Sequence, residues 1–184
     1  MSTMNKLPEN FTLKRYGLNV RLVDEQDADF IVELRTDEKL GRFIHATDDD
    51  TDKQKEWIKA YKARESRGTD YYFMFERPAG VKIGVCRIYD IHENDFTIGS
   101  WVFSPDAPMG AAVLGDIITR EIAFELFPDS VLLFDVKKEN LNVNRYQAFY
   151  KPELISEDDD TYYYRCFRSN FEKYKQRFLR MLKL

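Results

Sequence analysis

The stretch from Phe103 to Ala112 is the first place in this sequence where residue types and spacing point to chemistry. Two prolines and Gly110 precede a run, Ala111 to Phe127, that reads as a helix. A helix N-terminus presents unpaired amides and the positive end of its dipole, so it can hold a phosphate without a basic side chain. Gly110 leaves room for close backbone approach, and Ala111 and Ala112 keep the next turn small, although an ordinary turn uses the same residues. His45 offers an imidazole that titrates near neutral pH, and hence a base, unless it is only an exposed loop histidine. His92 falls in a turn and reads as exposed. Arg87 and Tyr89 share one face of a strand, with Trp101 expected beside them on the next. A guanidinium and rings so placed can grip a bound carboxylate or phosphate and stack on a ring; a packed hairpin is the alternative.

Composition narrows the field. The chain has 184 residues, 43% of them hydrophobic and 15% aromatic, enough to bury one sizeable core. A formal net charge of −4 and a pI near 5.4 argue against duplex binding, which draws its affinity from Lys and Arg on phosphate. Asp48-Asp49-Asp50 and Glu157-Asp158-Asp159-Asp160 read as solvated turns, and neither has the spacing of a calcium loop, so no metal is expected. Cys86 and Cys166 lie far apart in strand-like stretches and read as buried thiols. Met1 to Asn10 lacks the order of a signal peptide and no apolar run is long enough for a bilayer, so the expected location is cytoplasmic, with no membrane partner.

The elements that must position these residues follow from periodicity. Apolar residues alternate in Leu18–Val23, and Asp24 can cap the helix after it. Thr51 with Gln54 looks like a capping box for a helix carrying Trp57, Ile58 and Tyr61, which stops near Gly68. Tyr71–Phe75, Val81–Ile91 and Phe96–Phe103 are aromatic and β-branched runs joined by short turns, hence antiparallel neighbours. The Ala111–Phe127 helix is followed by Val131–Val136, apolar without alternation, as in a strand covered on both faces and parallel to the one before the helix. Asn140–Tyr150 reads as a further helix. Leu154–Ser156 and Tyr162–Phe167 read as closing strands before a helix from about Asn170.

The stretches NVRLVDEQDADFIVELR, DKQKEWIKAYKARE, DYYFMFE, KIGVCRIYDI, FTIGSWVF and FDVKKENLNVNRYQAFY resemble the GNAT acetyltransferase superfamily, in the branch of ribosomal-protein N-terminal and amino-sugar acetyltransferases. The most specific part is IGVCRIYDI and FTIGSWVF followed by a helix and VKKEN, and the likeness runs from Leu18 to Phe167. It implies one α/β domain over residues 1–184, with 1–15 a leading segment and 170–184 a C-terminal helix. The sheet would be mixed and mostly antiparallel, with six to seven strands, helices on both faces, and a V-shaped split between the fourth and fifth, Phe96–Phe103 and Val131–Val136. The pantetheine arm of acetyl-CoA, a cosubstrate, would pair with the backbone at Val102 and Phe103. Its pyrophosphate would rest on Met109, Gly110, Ala111 and Ala112, with Asn140 near the arm and Asn144 one turn on.

The implied reaction is N-acetylation, by direct attack of a primary amine on the thioester. The amine would belong to a small molecule, an amino sugar or a peptide N-terminus. His45, in the loop that resembles the acceptor-side wall, is the candidate base, Tyr146 the candidate proton donor to the thiolate, and Arg87, Tyr89 and Trp101 the acceptor contacts. The chain departs from the family pattern where Ala107 replaces Arg or Gln, Gln147 replaces a Tyr, and Thr97 replaces a Glu. These departures keep open a non-catalytic acyl-CoA-binding module. The expected partners are acetyl-CoA and the amine, without nucleic acid, and the final helix packs on the body or on a second subunit as a homodimer.

Overall fold

The computed structural model describes residues 6–44 and 47–184. Its sheet opens with a hairpin of β1 (Thr12–Arg15) and β2 (Leu18–Leu22), joined by Tyr16 and Gly17, both at positive φ as a two-residue primed turn requires. The sequence reading places residues 1–15 in a leading segment, which this hairpin corrects. Leu13 is the only large apolar residue of β1, so this edge strand carries almost no burial signal, and the described sheet has eight strands rather than six or seven.

Asp24 caps a 3-10 turn, Glu25–Asp27, that leads into α1 (Ala28–Thr36). Asp50, not Thr51, caps α2 (Thr51–Arg67): its carboxylate accepts from the amides of Asp52 and Lys53, and Gly68 at φ +79° ends the helix. Then come β3 (Tyr71–Glu76), β4 (Lys82–Tyr89) and β5 (Asp95–Phe103), followed by α3 (Ala111–Leu126) and β6 (Val131–Lys137). The chain closes with α4 (Leu141–Ala148), β7 (Glu153–Glu157), β8 (Thr161–Cys166) and α5 (Arg168–Met181).

The strands lie in the order β1-β2-β3-β4-β5-β6-β8-β7, antiparallel except for β5 and β6. That parallel pair is expected when a helix crosses between two neighbouring strands. On one face α1 and α2 pack over Val23, Ile31, Ile58, Tyr61, Tyr72, Val85 and Val102. On the other, α3 and α5 share a larger core with Phe73, Phe75, Phe96, Phe103, Ile117, Ile118 and Phe171. Each such side chain contributes about 1.5–3 kcal/mol when fully buried. The Phe103 ring fills the space left by Gly84 on β4 and Gly115 on α3, where an added Cβ would lie 2.3 Å from it. Cys86 and Cys166 are both buried and free. Among the described residues no helix is long and apolar enough to cross a membrane.

Candidate active site

The sheet is split where β5 and β6 meet. Their parallel ladder holds only Asp95–Val131, Phe96–Leu132 and Thr97–Leu133, although β5 runs on to Phe103 and β6 to Lys137. Past Thr97 the β6-facing edge of β5 has no strand partner among the described residues, so its amides and carbonyls line an open V. Beyond the V lies the N-terminus of α3. Gly110 at φ +84° is its N-cap and offers no side-chain cap. The Ala111 amide bonds to the Pro108 carbonyl, while those of Ala112 and Val113 have no acceptor among the described residues. These are bare donors at the positive end of a helix dipole.

A β-bulge shapes the β5 arm. Val85 pairs with Val102 and Arg87 with Gly99, so Ser100 and Trp101 together oppose Cys86. Ser100 takes up the extra residue at φ +49°. The insertion reverses the alternation of side chains, and Trp101 turns to the α3 face, where its indole N–H donates to the Ala112 carbonyl at 2.8 Å. Trp101 therefore does not join Arg87 and Tyr89, as simple alternation suggests. Ser100 stays on the α1/α2 face, where its hydroxyl lies 3.2 Å from Arg35 Nη1.

Under the V on the α3 face lies a polar cluster inside apolar surroundings. The buried Asp116 accepts from Arg120 Nε at 2.8 Å and from the Tyr146 hydroxyl at 2.6 Å. Arg120, 1% exposed, also donates to Gln147 Oε1 at 2.7 Å and lies over the Tyr150 ring. The Tyr146 and Tyr150 hydroxyls are 3.0 Å apart. Gln147, at the position where the family pattern places a Tyr, thus partners Nη2 of a buried arginine whose Nη1 has no hydrogen bond among the described residues. Burial, then the Asp116 charge, hold the Tyr146 phenol well above its usual pKa. A phenol whose proton already serves a carboxylate is a poor donor to a thiolate, so the expected acid role does not fit this placement. Its ring instead packs on Trp101 and on Phe178 of α5.

On the α1/α2 face Arg87 is already committed. It forks onto the buried Asp70, which also accepts from Arg64 Nε at 2.9 Å, and it stacks between the Trp57 and Tyr89 rings. Its Nε and Nη2 are therefore engaged by Asp70 rather than presented to a ligand, although one carboxylate shared with Arg64 leaves the cluster a net positive charge. Tyr89 reaches over β5: a Cβ on Gly99 would lie 2.9 Å from its hydroxyl oxygen. Asn140 caps α4 by accepting from the Val143 amide at 3.3 Å. Asn144 Nδ2 donates to the Lys137 and Asn140 carbonyls. Both asparagines hold the turn that ends the β6 arm.

Met109 is almost fully exposed, whereas Val102, Phe103 and Ala111 bury their side chains and leave backbone to the V. Leu182, just after α5, lies against Gly110, with its Cδ2 2.5 Å from where a Cβ would stand. His45 lies outside the described residues. Sequence reasoning missed Asp116 and Arg120, although an i, i+4 pair of opposite charges inside the otherwise apolar stripe of α3 was a legible sign of a buried pair. A surface cavity of about 320 Å³ lined by Arg15, Glu121, Arg168 and Lys175 sits beside the second half of α3, away from the V. Among the described residues no group of three or more His, Cys, Asp or Glu could share a metal ion.

A family model for the acetyltransferase (GNAT) domain matches residues 18–148. No curated protein matches the chain. Among solved structures, apo FdhC, described as a nucleotide-linked sugar GNAT, is 36% identical with a TM-score of 0.82, over 93% of this chain and 98% of that one. The ribosomal-protein-S5-alanine acetyltransferase of Vibrio fischeri is 12% identical with a TM-score of 0.73, over 88% and 99%. RimJ of Mycobacterium smegmatis in complex with CoA-disulfide is 16% identical with a TM-score of 0.70, over 90% and 89%. The last two share the fold. From the split of its sheet, the domain match and the FdhC likeness together, the chain belongs to the GNAT acetyltransferase family.

Proposed function

We propose that this protein is an acetyl-CoA-dependent N-acetyltransferase whose acceptor is an amine on a nucleotide-linked sugar. The observation that carries the reading is the split after Thr97–Leu133, with the bare amides of Ala112 and Val113 beyond it. The β5 edge at Val102 and Phe103 would pair with the pantetheine arm, and Met109 to Ala112 would seat the diphosphate. Asn140 and Asn144 would fix the turn beside the arm through the bonds already described. Acyl-CoA supplies an activated carbonyl, and the β5 backbone supplies a donor for the charge that develops on it. The preference for a nucleotide-linked amino sugar over a protein N-terminus rests on likeness: 36% identity to FdhC, against 12% to the S5-alanine enzyme.

Leu182 lies against Gly110 of the proposed seat, and Phe178, one turn earlier, lies on Tyr146 and Phe149. In this reading the last turn of α5 shifts when the diphosphate binds. Calorimetry with acetyl-CoA, followed by thiol release over a panel of nucleoside-diphosphate amino sugars, free amino sugars and alanine-initiated peptides, tests the assignment. Binding, with turnover best on the nucleotide-linked amines, is the expected result. Absence of binding would overturn the reading as a whole, and turnover confined to peptides would overturn the acceptor class.

A further inference from the structure

Resting on that reading, we infer that Asp135 is the general base that takes a proton from the acceptor ammonium. A primary amine is mostly protonated at neutral pH and must lose a proton before it attacks. Thr97, on β5 at the split, has only a hydroxyl, and the β6 arm supplies a carboxylate instead. Side chains alternate along β6: Leu132, Phe134 and Val136 are buried toward α3, while Leu133 and Asp135 face the α1/α2 side. Leu133 is in the last rung of the ladder with β5, so Asp135 is the first side chain on that face beyond it. It is exposed and lies two residues past that rung, on the β6 side of the V.

Its neighbours leave it unpaired. Lys137 goes to Asp160 at 2.8 Å, Arg165 to Glu153 at 2.6 Å, and Arg87 to Asp70. Tyr163, directly opposite on β8, donates to Asp158 at 2.8 Å. Arg35 lies with Thr47 and Ser100, and Arg42 with Glu139. Asp135 itself has no hydrogen bond or ion pair among the described residues. On the same face Tyr89 of β4 reaches over β5 with its hydroxyl above Gly99, near enough for its phenol to feel the Asp135 charge. Burial, then the charges of Asp135 and Asp90, raise the Tyr89 phenol, which keeps it a neutral donor beside the carboxylate. An ammonium placed between the Tyr89 hydroxyl and Asp135 points its nitrogen into the split.

The proton inventory closes. Asp135 takes one proton from the ammonium and passes it to water. The freed lone pair forms the C–N bond at the thioester carbonyl, and the C–S bond breaks with its electron pair on sulfur. The second proton leaves the nitrogen for that sulfur, giving the amide and free thiol. Asp135→Asn and Asp135→Glu, assayed with acetyl-CoA and a nucleoside-diphosphate amino sugar, test the role. Asp135→Asn should lower kcat by about 10²–10⁴-fold, the usual range for a general base, while the Kd for acetyl-CoA stays unchanged. Its kcat/KM should also go on rising with pH where the parent enzyme levels off, and Asp135→Glu should restore the plateau. Full activity with an unchanged pH profile in Asp135→Asn would overturn the assignment, as would a loss of coenzyme binding in step with the rate. A parent chain that bound no acetyl-CoA would instead overturn the functional reading beneath it.

Discussion

The two faces of the sheet at the split are built on opposite principles. On the α3 face the polar groups are embedded: Asp116, Arg120, Gln147, Tyr146 and Tyr150 form one hydrogen-bonded cluster, walled by Trp101, Phe134 and Phe178. On the α1/α2 face the strands beyond Tyr89 are open, and Asp135 stands in water without a partner among the described residues. The closed face fixes the positions of α3 and α4, and with them the two ends of the V. The open face keeps a carboxylate exposed to solvent. One side holds its charge still, and the other leaves it accessible.

The largest expected contrast lies in thiol chemistry on the closed face. Burial, then the Asp116 charge, push the Cys86 thiol up to about 12. The thiolate fraction falls about tenfold each time the pKa rises by one, so alkylation of native Cys86 should run about a thousandfold slower than in urea-unfolded chain. The sign for stability follows: a raised pKa favours the neutral thiol in the fold. That contribution is complete below the ordinary thiol pKa and fades as pH rises toward 12. Alkaline unfolding curves should show it, and rapid native labelling at Cys86 would break the contrast.

Next in size is the buried pair. Arg120→Met leaves Asp116 charged and unpaired in the core, which should cost about 3–5 kcal/mol in denaturant unfolding. Asp135→Asn, on the open face, should stay within about 0.5 kcal/mol, as exposed substitutions usually do. Equal costs would mean that the two faces do not differ in the way described. Smaller again is Leu182→Ala. Removing the side chain that lies on Gly110 should tighten acetyl-CoA binding by up to about tenfold, which is about 1.4 kcal/mol, measured by calorimetry. Weaker binding would show that Leu182 supports the seat rather than covering it.

Much of the frame is legible in the sequence because its signals are local. Seven of the strands, the long α3 and the parallel return to β6 follow from alternation, apolar spacing and loop length. The residues that escape depend on events a periodicity cannot register. β1 offers one large apolar residue and a Tyr-Gly turn. The bulge at Ser100 adds one residue and sends Trp101 to the opposite face from the one that alternation gives. Arg87 reads as free to bind a ligand, but Asp70, just before β3, reaches it only once β3 and β4 pair. Asn140 and Asn144 fall at the expected turn, where their side chains serve the backbone. Asp135 lies within Val131–Val136, which reads as apolar without alternation, and only the short ladder with β5 shows that it borders the split.

Amide hydrogen exchange with and without acetyl-CoA tests the central claim, that the split and the amides beyond it seat the coenzyme. Protection should appear at Ala112 and Val113 and along β5 beyond Thr97, with little change in β1, β2 or β7. Saturating coenzyme that left those amides exchanging at the free rate, or that protected a different edge of the sheet, would contradict it.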